Sequence, residues 1–137
     1  MRRRFAMLFS AMAVAVPAVT LGGGTPAVAN SETGSAAVER FWVYGDDAMK
    51  GDKKSYTGTD RNFENDEWDG GSAEGAVSDS VSSVDNNTSR YVVLYANRAP
   101  SGSTACSGAQ YTSRPWTSDG DLSDNNFDNK ADCLVFQ

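Results

Sequence analysis

Apolar positions along this chain follow two regimes. From Phe5 to Leu21 they form one nearly continuous run, with Arg2-Arg3-Arg4 before it and Gly22-Gly23-Gly24 after it. Beyond that run they occur only in short clusters separated by Gly, Asp, Asn and Ser. Arg40-Phe41-Trp42-Val43-Tyr44 predicts a strand ended by Gly45-Asp46-Asp47, and Lys54-Ser55-Tyr56-Thr57 a weaker one ended by Gly58. Ser82-Ser83-Val84 and Arg90 to Tyr95 predict two more, split by the turn signal Asp85-Asn86-Asn87-Thr88. Ala109 to Thr112 and Cys133 to Phe136 complete the set. No stretch sustains a 3.6-residue period over three turns. The pattern predicts an all-β domain of short strands and much loop.

The first regime has the three parts of an export signal: a basic start, an apolar centre and the small residues Ala27-Val28-Ala29. Residues 1–29 are therefore expected to be a cleaved signal peptide, with Asn30 as the mature N-terminus and the product secreted. A membrane anchor fits poorly, because Pro17 and the glycine triplet interrupt the run before the roughly 20 residues a spanning helix needs. Residues 30–40 are small and polar and read as a flexible tail. Residues 41–137 form one domain.

The two halves of that domain repeat each other at an offset of about 50 residues. Trp42-Val43-Tyr44 aligns with Val93-Leu94-Tyr95, and Ser78-Asp79-Ser80-Val81-Ser82-Ser83 with Asp128-Asn129-Lys130-Ala131-Asp132-Cys133. Trp68-Asp69-Gly70-Gly71 aligns with Trp116-Thr117-Ser118-Asp119-Gly120. Two similar four-stranded units packed face to face are expected, each burying what the other cannot cover. Trp42, Trp68 and Trp116 are expected at core or corner positions.

Composition narrows the chemistry. Past residue 29 the chain carries all eighteen acids but only nine of the twelve basic residues. Such acidity argues against nucleic acid and anionic membrane as partners. With no histidine, Ser-His-Asp and Cys-His sites are excluded, together with histidine-bearing zinc motifs. Glu64, Asp66 and Glu67 lie within four residues, and read as a solvated turn rather than a catalytic carboxylate pair. The protein is expected not to be an enzyme. Cys106 and Cys133, the only cysteines of an exported chain, are expected to form a disulfide.

An aromatic-ended strand, a glycine-bearing turn region and an Asx-x-x-Ser-Ser turn running into a further strand resemble a βγ-crystallin Greek-key motif. Asp79 to Thr88, followed by Val92-Val93-Leu94-Tyr95, resembles more closely the secreted bacterial peptidase-inhibitor family with a βγ-crystallin-like fold, typified by a metalloproteinase inhibitor. Asn129-Lys130-Ala131 matches that family's ending, with Asp132-Cys133 in place of its two serines. The resemblance spans residues 41 to 136 and implies a βγ-crystallin-like sandwich of two Greek keys.

It implies two sites. In calcium-binding crystallins the (Asn/Asp)-(Asn/Asp)-x-x-(Ser/Thr)-Ser segment supplies oxygen ligands. Here Asp128, Asn129 and Asp132 of the second copy, and Asp79 and Ser82 of the first, are the calcium candidates. Residues of these types more commonly just hydrogen-bond a turn between strands. The second site is an inhibitory loop from Arg98 to Ser107, whose expected contact residues are Ser103, Thr104, Ala105, Cys106 and Ser107. Two functions stand side by side: a monomeric inhibitor of an extracellular peptidase, and a structural or weakly calcium-binding crystallin-like module. No other cofactor is expected.

Overall fold

A computed structural model describes residues 36–137. The expected signal peptide and most of the expected tail lie outside the described residues. The first strand, β1, spans Arg40–Asp46, and β2 spans Lys50–Tyr56. β3 spans Ser83–Asn87, β4 Val92–Asn97, β5 Ser107–Ser113, β6 Thr117–Asp119 and β7 Cys133–Phe136. Two one-turn 3-10 helices, Phe63–Asn65 and Leu122–Asn125, precede β3 and β7. The all-β expectation holds.

Alternation in β1 decides which face is buried. Phe41 and Val43 are fully enclosed while Trp42 and Tyr44, which alternate with them, are half-buried on the outer face, as a period of two requires. β4 presents Val92 and Leu94 to the same interior, joined by Val84, Leu122 and Leu134. Each large aliphatic enclosed in this way contributes about 1.5–3 kcal/mol. β2 lies at the edge of its sheet, where the polar run Lys50-Gly51-Asp52-Lys53 suits an exposed strand.

The sheets have strand orders β2-β1-β3-β6 and β5-β4-β7. This corrects the expectation of one four-stranded sheet per repeat. The third segment of each repeat crosses to the other sheet. β6, from the second half, pairs with β3 through Val84–Asp119, Asp85–Ser118 and Asn86–Thr117. Asp60, from the first half, bridges to Leu134 of β7. The crossing lets each half cover the interior face of the other.

Repeat equivalence holds at the strands and turns. Ser82 donates its amide to the Tyr44 carbonyl, and Asp132 to that of Tyr95, both at 2.9 Å. Asn62 and Asp121 cap the two helices with the same φ of −156°. The tryptophan alignment fails. Trp68 follows the first helix and is buried, whereas Trp116 precedes β6 and is 62% exposed at φ +57°.

The expected turn over Asp85 to Thr88 is also corrected, because β3 runs on to Asn87. Asn86 is fully buried. Its Nδ2 donates to the carbonyls of Arg90 at 3.0 Å and Arg114 at 2.9 Å, and its Oδ1 accepts from the Thr88 amide and hydroxyl. A polar residue that satisfies its hydrogen bonds this fully is stable inside.

Candidate functional site

The segment between β4 and β5 is built as an exposed loop on a rigid base. Residues Ser101 to Ala105 are all exposed. Ser103 donates its amide to the Pro100 carbonyl at 2.8 Å, closing a turn with Gly102 at its third position. Gly102 has φ +80°, which such a turn takes without strain only at glycine. Ala105 then donates its amide to the Ser103 hydroxyl at 3.1 Å.

Both ends of this loop are tied down. Cys106 is bonded to Cys133, which is fully buried at the start of β7, so the expected pairing is present. Arg61 grips the loop at two further points. Its carbonyl accepts from the Ala99 amide at 3.0 Å, and its Nε donates to the Thr104 carbonyl at 2.8 Å. Sequence reasoning missed Arg61, which lies 43 residues from Thr104. A hollow of about 520 Å³ at the foot of the loop is lined by Asn97, Arg98, Pro100, Ser101 and Asp132.

The two Asx-x-x-Ser-like turns lie against each other, and their side chains associate across the repeats. Asp132 accepts from the Ser78 hydroxyl at 2.8 Å and from the Arg98 amide at 3.4 Å. Loss of hydration, and then the negative charges of Asp132 and Glu64, raise the Asp79 carboxyl above its ordinary range. On the other side, Ser82 contacts the Asn129 side-chain oxygen at 3.5 Å, and Asn129 donates to Asp128 Oδ2 at 2.9 Å. The five calcium candidates thus divide into two groups, Asp79 with Asp132 and Asp128 with Asn129 and Ser82. Among the described residues, no three acidic, cysteine or histidine side chains converge as a metal-binding group.

Electrostatics distinguish the two groups. Beside the first, Arg98 Nε pairs with Glu64 Oε1 at 2.8 Å, so a side-chain cation already meets the acids. Near the second, Asp47 is raised by loss of hydration and then by the carboxylates of Asp121, Asp128, Asp46 and Asp124. Asp128 Oδ1 is enclosed and receives no hydrogen bond.

The Glu64, Asp66 and Glu67 trio is not simply solvated. Asp66 is half-buried and accepts from the Tyr56 hydroxyl at 2.5 Å, while Tyr56 stacks on Phe63 with centroids 5.3 Å apart. Burial raises the Asp66 carboxyl against the lowering effect of that hydrogen bond. Glu64 pairs with Arg98, whereas Glu67 is exposed and engages Lys54 only through its backbone carbonyl.

No protein-family model and no curated protein matches this chain. Its fold does match solved structures. A structure from work on the evolution of the eye-lens βγ-crystallin domain fold superposes with a TM-score of 0.57 at 16% identity, covering 72% of this chain and 84% of the other. A βγ-crystallin from an archaeon superposes with a TM-score of 0.54 at 14% identity, covering 73% of this chain and 99% of the other. The fold is that of a βγ-crystallin domain.

Proposed function

We propose that this domain is an exported inhibitor of an extracellular peptidase, with the loop from Arg98 to Ser107 as its contact segment. One observation carries the reading: five consecutive exposed residues, Ser101 to Ala105, are held by Arg61 at Ala99 before them and at Thr104 within them, and by the cystine at Cys106 after them. Ordering a backbone costs about 1–2 kcal/mol per residue. A segment ordered on folding enters an active-site cleft without that penalty at the moment of binding. The segment's small residues also keep it slim enough for a cleft. The signal-like pattern of residues 1–29 and the resemblance to secreted bacterial inhibitors support the same reading.

The test is inhibition of secreted serine and metallopeptidases by the purified domain from Asn30 onward, with its disulfide intact. Inhibition that disappears when Thr104 and Ala105 are replaced by bulky charged residues supports the loop. Undiminished inhibition by that variant moves the contact surface elsewhere, and no inhibition at micromolar protein removes the function.

A second reading is favoured by Asp128, whose Oδ1 is enclosed without a donor beside other carboxylates. A hard cation prefers such oxygens. In this reading the domain is a structural extracellular module that binds calcium weakly at Asp128, Asn129 and Ser82. Titration calorimetry checks it: heat at about millimolar calcium, lost in Asp128→Asn, supports it.

A further inference from the structure

We infer that the peptidase engaged by this loop has a narrow, uncharged primary pocket, and that Ser103 or Ala105 is the residue it receives. This inference rests on the inhibitor reading above and adds the class of the target.

Side-chain chemistry along the exposed run is uniform. Ser101, Gly102, Ser103, Thr104 and Ala105 offer no charge, no ring and no long aliphatic group. A pocket with an acid at its base requires a basic side chain, and the nearby cations are already engaged. Arg61 Nε holds the Thr104 carbonyl, and Arg98 Nε holds Glu64. A deep apolar slot requires an aromatic or large aliphatic group, and this run would leave it unfilled. A small pocket, as in elastase-type enzymes, is the one these residues complement.

Backbone geometry narrows the position. Inhibition by substrate-like occupation needs a carbonyl directed at the peptidase's oxyanion donors. The Thr104 carbonyl is turned back onto Arg61 and is not free for that role. Neither the Ser103 nor the Ala105 carbonyl accepts a hydrogen bond among the described residues. Both are single residues away from the gripped carbonyl and belong to exposed residues, so both are held while their oxygens stay unengaged. Ala105 has the further support of the adjoining cystine at Cys106.

The experiment uses the disulfide-intact domain against four probes: an elastase-type peptidase, trypsin, chymotrypsin and a zinc peptidase that prefers large apolar residues. The expected result is an inhibition constant at least about 100-fold lower for the elastase-type enzyme. Ser103→Arg and Ala105→Arg are then compared, with melting curves showing that each still folds. One of the two is expected to reverse the ranking toward trypsin by about 100-fold. Equal or stronger inhibition of trypsin, chymotrypsin or the zinc enzyme by the unmodified domain overturns the pocket assignment and leaves the inhibitor reading standing. An elastase preference that neither arginine variant alters overturns the assigned positions. Inhibition of none of the four overturns both readings together.

Discussion

Asp79 and Asn129 share one left-handed backbone conformation, at φ 51° and 52°, and each donates its amide into the opposite repeat. The Asp79 amide meets the Ala131 carbonyl and the Asn129 amide meets that of Val81, both at 3.0 Å. Asp and Asn are among the residues that tolerate this region. The reciprocal pair fixes the two turns as a single unit, on which the side chains have diverged. Ser82 in one copy corresponds to Asp132 in the other, and Ser83 to Cys133.

Loss of the disulfide should destabilise the domain substantially. It closes a sequence separation of 27 residues, for which the chain-entropy model gives about 3.5 kcal/mol. The double variant Cys106→Ser, Cys133→Ser should show that loss in urea unfolding. A change below about 1 kcal/mol would contradict the entropic account.

Asn86→Ala should cost about 3 kcal/mol, because it strips partners from buried backbone groups on two separate segments. The carbonyls of Arg90 and Arg114 and the amide of Thr88 lose their contacts at once. Thermal unfolding reads the effect, and an unchanged midpoint would show that water replaces the amide.

Arg61→Ala should loosen the loop while sparing the core, since Arg61 is exposed. Limited proteolysis between Pro100 and Cys106 should speed up about tenfold, with global stability falling by less than about 1 kcal/mol. If the inhibitor reading holds, inhibition weakens by a similar factor. Equal proteolysis rates in the two proteins would show that the cystine alone orders the loop.

Acid should favour the folded state through Asp66. Its carboxyl titrates higher in the folded protein than the ordinary value of 3.8, chiefly because of burial. As pH rises above that value the unfolded chain loses its proton first. The folded state then binds more protons, so stability falls until the folded carboxyl has also ionised. Asp79 adds a change of the same sign. Unfolding free energies measured by urea titration from about pH 3.5 to 7 should decline across that lower range and then level off. The decline should be shallower in Asp66→Asn, and an unaltered profile there would assign it to other acids.

Short apolar clusters bounded by turn residues made β1 and β4 legible, because Phe41, Val43, Val92 and Leu94 belong to a shared core. The disulfide was legible from the export-like N-terminal pattern and the presence of just two cysteines. β6 was not, since Thr117-Ser118-Asp119 has no apolar residue and forms only because β3 offers a free edge. Asn86 read as a turn residue because its burial depends on carbonyls 4 and 28 positions away. The tryptophan alignment misled for a related reason: likeness of residues in a loop says nothing of which side of a helix they fall on. At the candidate site, the loop could be chosen from its composition, whereas Arg61 could be recognised only once the fold brought it alongside. The same holds for the cross-repeat division of the calcium candidates.

Because the third segments are exchanged between sheets, the domain resists division at its midpoint. A cut in the connection at Ser89 would separate β3 from β6 and Asp60 from Leu134, leaving each fragment with an open edge that only the other fragment fits. The halves are therefore mutually obligate, and a mixture of the two fragments should reassemble more readily than either folds alone. The present chain thus has the layout of two half-units, each completing the other's sheet, joined covalently.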